Sequence, residues 1–83
     1  VLLELTISAP EGLHARPAAE LVRISQTSSH SIEIGRAGQP RVSASSMLAL
    51  LGLGLRQGER VEVAVSADFD PALEAQILAL FSA

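Results

Sequence analysis

At 83 residues with 48% hydrophobic content, the chain is long enough for one compact core and too short for two, so any site shares its packing layer with the scaffold. All six basic residues are arginines, set against nine carboxylates, and the net charge of −3 provides no field that would hold a polyanion. With no Tyr or Trp and two Phe there are no stacking platforms either, so nucleic acid is not an expected partner. The absence of Cys removes disulfides, thiolate zinc sites and cysteine nucleophiles together, and it fits a cytoplasmic chain.

The opening VLLELTISAP carries Glu4, has no basic leader and breaks at Pro10, so it reads as a strand and not as a signal peptide or an inserted membrane span. Val1, Leu3, Leu5 and Ile7 alternate with Leu2, Glu4, Thr6 and Ser8, placing one apolar row on one face. Pro10, Glu11 and Gly12 then turn the chain. A helix is expected from Ala15 or Arg16, with Pro17 near its first position, to about Thr27, where the polar stretch Gln26 to Ser29 interrupts it. Ala18, Leu21, Val22 and Ser25 are its expected inner stripe.

Period-two patterning returns over Ser31 to Ile34 and Arg41 to Ala44, with Gly35 to Pro40 as the hairpin loop between them. Ser45 and Ser46 can each cap a second helix, MLALLGLGL, which ends at a glycine. Val61, Val63 and Val65 mark a fourth strand. Asp70 and Pro71 open a last helix with Leu73, Ile77, Leu80 and Phe81 on its inner face. The order β-α-β-β-α-β-α predicts one α+β domain over residues 1–83, with helices on one face of the sheet and water on the other. That order is compatible with more than one small α+β sandwich, including ferredoxin-like strand orders.

The chemistry is concentrated in Gly12-Leu13-His14-Ala15-Arg16-Pro17-Ala18-Ala19. An imidazole at the N-terminal entrance of a helix, with an arginine two residues on, meets an anion from two sides. Free N–H groups of the first turn (Ala15, Arg16 and Ala18) and the helix dipole supply one side, and the guanidinium supplies the other. The same positive surroundings favour a neutral imidazole whose lone pair can attack phosphorus. Gly12 permits the tight turn before His14, and Pro17 stiffens the helix entrance behind it.

GLHARPAAELV closely resembles the active-site sequence of the histidine-containing phosphocarrier protein HPr family of the phosphoenolpyruvate-dependent sugar phosphotransferase system. The likeness continues through SSMLALLGLGL, QGERVEVAV and the last helix, and so covers essentially the whole chain. It implies an open-faced β-sandwich, a four-stranded antiparallel sheet covered on one face by three helices. It also implies that His14 accepts a phosphoryl group on Nδ1 from enzyme I and passes it to enzyme IIA, with Arg16 and Pro17 matching the family's active-site arginine and proline. On this reading the chain is a monomeric carrier with no complete active site of its own, no cofactor and no metal. Nitrogen-related phosphocarriers, regulatory HPr-like proteins and HPr domains of larger fused phosphotransferase proteins share the pattern.

A carrier that serves two partners needs a convex, partly apolar docking surface. Met47, Leu48 and Leu51 are candidates because the second helix holds more large apolar residues than one inner stripe buries, and Ala19 and Arg23 extend the patch. Ser46 matches the serine phosphorylated by a dedicated kinase in some family members, so a serine kinase is a further candidate partner; capping alone also accounts for this serine. His30 stands in a polar loop with no second ligand at metal spacing. No pair of carboxylates is expected to work on His14. Gly52 and Gly54 lack the strand-to-helix context of a nucleotide-binding loop.

Overall fold

Leu3, Val63 and Ile34 lie side by side across three strands, and Leu5 and Val61 form the next row. This register puts one apolar row of every long strand on the same face. The structure, a computed structural model, describes residues 1–27, 30–66 and 71–82. Its elements are β1 (Leu2–Thr6), α1 (Ala15–Thr27), β2 (Ile32–Arg36), β3 (Val42–Ser43), α2 (Met47–Gly52), β4 (Arg60–Val65) and α3 (Pro71–Ser82). The four strands form one antiparallel sheet in the order β1-β4-β2-β3. The three helices pack over its apolar face, giving the open-faced α+β sandwich. Asp70, expected to cap the last helix, and Ser28 and Ser29 of the polar stretch lie outside the described residues.

Ile7, Leu21, Ile32, Ile34, Leu50, Val61, Val63 and Ile77 are the large side chains with almost no exposure, and they form the centre of the core. Each contributes about 1.5–3 kcal/mol relative to an exposed position. On α1 the buried set is Pro17, Ala18, Leu21 and Ile24, whereas Val22 and Ser25 are half-buried at the margin. The stripe is therefore rotated toward Ile24 from the expected one. On α3, Leu73, Ile77 and Phe81 are buried and Leu80 is half-buried.

Two boundaries differ from the periodicity. Gly35 and Arg36 belong to β2 and not to the hairpin loop, because β4 pairs them with Glu62 and Val61 from the other side. A Cβ on Gly35 would stand 2.6 Å from the Pro40 carbonyl oxygen, so the hairpin closes only over glycine. The third strand is correspondingly short, although the Ala44 N–H still reaches the Ile32 carbonyl at 2.8 Å. Of the two serines, Ser46 alone caps α2, accepting from the Ala49 N–H at 3.2 Å, while Ser45 turns to the Ser43 hydroxyl.

The open face is charged. Glu4 and Glu62 stand directly opposite each other, which costs stability, but Arg60 approaches Glu4 and Arg41 approaches Glu62, each at 3.7 Å. A tighter pair closes the turn before β4. Arg36 Nε donates to Glu59 at 2.7 Å, the Arg56 N–H donates to the same carboxylate at 2.6 Å, and Arg36 Nη2 donates to the Gly54 carbonyl at 3.1 Å. The side-chain bond from Arg36, followed by that from the Arg56 backbone, holds the Glu59 carboxyl below its ordinary value of 4.5. A depressed carboxyl stabilises the fold above the unfolded-state value, and this contribution is lost as pH falls through the folded-state value. Glu59→Gln should therefore lower the urea midpoint at neutral pH, with the gap to the parent closing as pH falls below about 4.5; urea titrations across acid pH measure both.

Candidate functional site

Three bodies hold the segment that leads to His14. The carbonyl of Phe81, at the end of α3, accepts from the N–H groups of Ser8 and Ala9 at 2.9 and 3.1 Å, so two successive amides share one helix-terminal acceptor. The Gly12 N–H closes a turn onto the Ala9 carbonyl at 3.0 Å, and the Leu13 N–H donates to the Leu55 carbonyl at 3.1 Å. Gly12 has φ +67, and a Cβ there would lie 2.3 Å from the Leu55 oxygen and 2.8 Å from Arg56 Cα. Only glycine fits that approach. Leu13 is buried in the core immediately before the histidine.

His14 is the N-cap residue of α1: its carbonyl accepts the first helical bond, from the Ala18 N–H at 3.1 Å. Ala15 and Arg16 are thus the first and second helical residues and Pro17 the third, two positions later than expected. Proline is tolerated there because that N–H is still one of the helix's orphan donors. Among the described residues, the N–H groups of Ala15 and Arg16 meet no acceptor, whereas that of Ala18 is already engaged. Arg16 is exposed and, among the described residues, makes no ion pair, while Arg23, Arg36, Arg41 and Arg60 each approach a carboxylate.

An open depression of about 520 Å³ lies over this helix end, lined by Glu11, His14, Arg16, Pro17, Glu20 and Leu80. The His14 side chain is 37% exposed, and its Nε2 stands 3.5 Å from Glu11 Oε2. Glu20 is committed elsewhere: it accepts from Arg23 Nε at 3.0 Å and from Nη2 of the same guanidinium. That side-chain bond holds the Glu20 carboxyl below its ordinary value and raises Arg23. The expected docking residues divide in burial. Leu48 is 85% and Leu51 41% exposed, while Met47 is half-buried against the core and the neighbouring Leu50 is fully buried. Ala19 and Arg23 lie on the exposed side of α1, which Gln26 joins to the α2 cap by donating to the Ser45 carbonyl at 3.3 Å. His30 is half-buried, and no cluster of three or more metal-ligating side chains occurs among the described residues. No described helix is long and apolar enough to cross a membrane.

Comparison with known proteins decides the family. A family model described as the PTS HPr component phosphorylation site matches residues 3–83. The chain belongs to the HPr family of phosphocarriers. The phosphocarrier protein HPr of Streptomyces coelicolor is 45% identical over 58 residues, covering 70% of this chain and 62% of that protein. A multiphosphoryl transfer protein of Xanthomonas campestris is 40% identical over 70 residues, covering 84% of this chain but only 8% of that protein. The match thus spans less than two thirds of either relative. Among solved structures, HPr-C-His from Thermoanaerobacter tengcongensis superposes with a TM-score of 0.81 at 27% identity, covering 98% of this chain and 90% of that one.

Sequence reasoning placed His14, Arg16 and Pro17 together at this HPr-type helix entrance but missed Glu11, Glu20 and Leu80 in the same depression. The spacing of Glu11 three residues before His14 was the available signal. Leu80 had none, since it reaches the site only through the tertiary placement of α3. Gly12→Ala should cost at least about 2 kcal/mol in urea unfolding, from forced φ and backbone collision. Gly52→Ala, where an added Cβ meets nothing within 4 Å, should be neutral or stabilising by up to about 1 kcal/mol.

Proposed function

We propose that the chain is the phosphoryl carrier of the phosphoenolpyruvate-dependent sugar phosphotransferase system, taking the phosphoryl group from enzyme I on His14 Nδ1 and passing it to enzyme IIA. The observation that carries this reading is the cap position of His14, beside two first-turn N–H groups and an arginine that, among the described residues, meet no acceptor and no carboxylate respectively. Nδ1 is the ring nitrogen nearer the backbone. A phosphoryl group on it lies next to the Ala15 and Arg16 amides, whereas Nε2 faces Glu11. The Nδ1 lone pair forms the new bond to phosphorus as the bond to the donor breaks, and the pair returns to Nδ1 when the group leaves for the acceptor. The amides, the helix dipole and the Arg16 guanidinium steady the phosphoryl oxygens.

The depression over His14 is open to solvent, so the carrier does not exclude water alone, and the partner surfaces complete the environment of each transfer. In this reading the chain is a cytoplasmic monomer and not an enzyme in its own right, needing no cofactor or metal. Exposed Leu48 and Leu51, with Met47, Ala19 and Arg23, form the transient docking surface for both partners. Phosphorylation of Ser46 by a serine kinase would put charge into the cap that the Ala49 N–H now occupies, and would act on docking through the start of α2. The Xanthomonas relative, most of whose length lies outside the match, supports a second reading in which the same relay operates within a fused phosphotransferase protein.

Phosphorus NMR of the chain incubated with enzyme I, phosphoenolpyruvate and magnesium tests the proposal. A phosphohistidine signal is expected in the parent and none in His14→Ala, and Arg16→Ala should slow transfer about ten- to hundredfold. No signal in the parent, with the same enzyme I active on a known carrier, would overturn the assignment, as would an undiminished signal in His14→Ala.

A further inference from the structure

Two carboxylates line the depression around His14, but they are not equivalent. Glu20 is bonded to Arg23 through both Nε and Nη2. Glu11 has no arginine partner among the described residues, and its Oε2 stands 3.5 Å from Nε2 of the imidazole. Its backbone is held in place: the turn closes through the bond from Gly12 N–H to Ala9 at 3.0 Å, and the next residues are locked by Gly12's close approach to Leu55 and the buried Leu13. Of the charged groups facing the ring among the described residues, Arg16 and the α1 N-terminus favour the phosphoryl group, the Glu20–Arg23 pair is internally compensated, and Glu11 faces Nε2, the nitrogen that does not carry phosphate.

We propose that Glu11 is a positioning residue for the transfer, whose carboxylate accepts the Nε2–H of His14 and keeps that proton on the ring while Nδ1 carries the phosphoryl group. This rests on His14 being the phosphoryl acceptor. Attack by Nδ1 leaves a phosphorylated ring that is cationic as long as Nε2 keeps its proton, and the adjacent carboxylate offsets that charge. The protonated ring is the better leaving group: when phosphorus moves on, the N–P electron pair returns to Nδ1, the ring becomes neutral, and the Nε2 proton is neither lost nor taken up. Glu11 acts through the proton and does not touch the phosphoryl group.

The decay of the isolated phosphoprotein, followed by phosphorus NMR without partners, separates this role from docking or folding. In Glu11→Gln the phosphoryl group should survive about threefold longer than in the parent on the alkaline side, near pH 9, the scale expected for one exposed ion pair. The lifetimes should converge near pH 5, where both rings hold the proton, and Glu11→Asp should restore at least part of the parent behaviour. Onward transfer to enzyme IIA should lose kcat with KM unchanged. Equal lifetimes at every pH would overturn the proposal, and so would a gap that persists undiminished in acid, which would mark Glu11 as repelling the phosphoryl group. A parent that takes no phosphate would overturn both this role and the reading of His14, whereas a phosphorylated parent that decays like Glu11→Gln would overturn this role alone.

Discussion

The bond from the Leu13 amide to the Leu55 carbonyl, with Gly12 packed against Arg56 Cα, joins the end of the first strand's connection to the turn before β4. It is the tether nearest His14, beyond the bonds of Ser8 and Ala9 to Phe81. With it, the residue before the histidine is buried, the histidine becomes the N-cap of α1, and the helix axis is aimed by Pro17, Ala18, Leu21 and Ile24 in the core. The receiving turn is itself clamped by Glu59, which gathers the Arg36 side chain and the Arg56 amide. The half-exposed His14 thus rests on a chain of contacts reaching across the sheet.

Charge is managed locally. A chain of net charge −3 is a poor general anion binder, yet the helix entrance concentrates two open amides, the dipole and Arg16 at one spot. Arg23, Arg36, Arg41 and Arg60 each approach a carboxylate, Arg23 pairing with Glu20 beside the same depression. Among the described residues, Arg16 is the arginine in this depression that makes no ion pair.

Much of this was legible in the sequence. Alternation in β1 and β4 and the 3.6-residue stripe of α3 report burial, the stripe of α1 does so only up to its rotation toward Ile24, and the GLHARP segment pointed to the family. What was hidden depends on partners distant in the chain. Gly35 and Arg36 read as loop until β4 pairs with them, and Ser45 looks as good a cap as Ser46 until the Ser43 hydroxyl claims it. The placing of Pro17 two residues too early has a local cause, because proline is tolerated throughout the first helical turn and does not mark its first residue. Glu11 offered only its spacing from His14, and Leu80 read as core because it reaches the depression only through the tertiary placement of α3.

On the proposed function, the phosphoryl group sits against the first-turn amides of Ala15 and Arg16. Amide ¹H–¹⁵N spectra recorded before and after phosphorylation test it most directly. The largest shifts are expected on Ala15 and Arg16, with the already bonded Ala18 amide moving less. Largest shifts away from the helix entrance, around Ser46 or on the sheet face, with Ala15 and Arg16 unmoved, would contradict it.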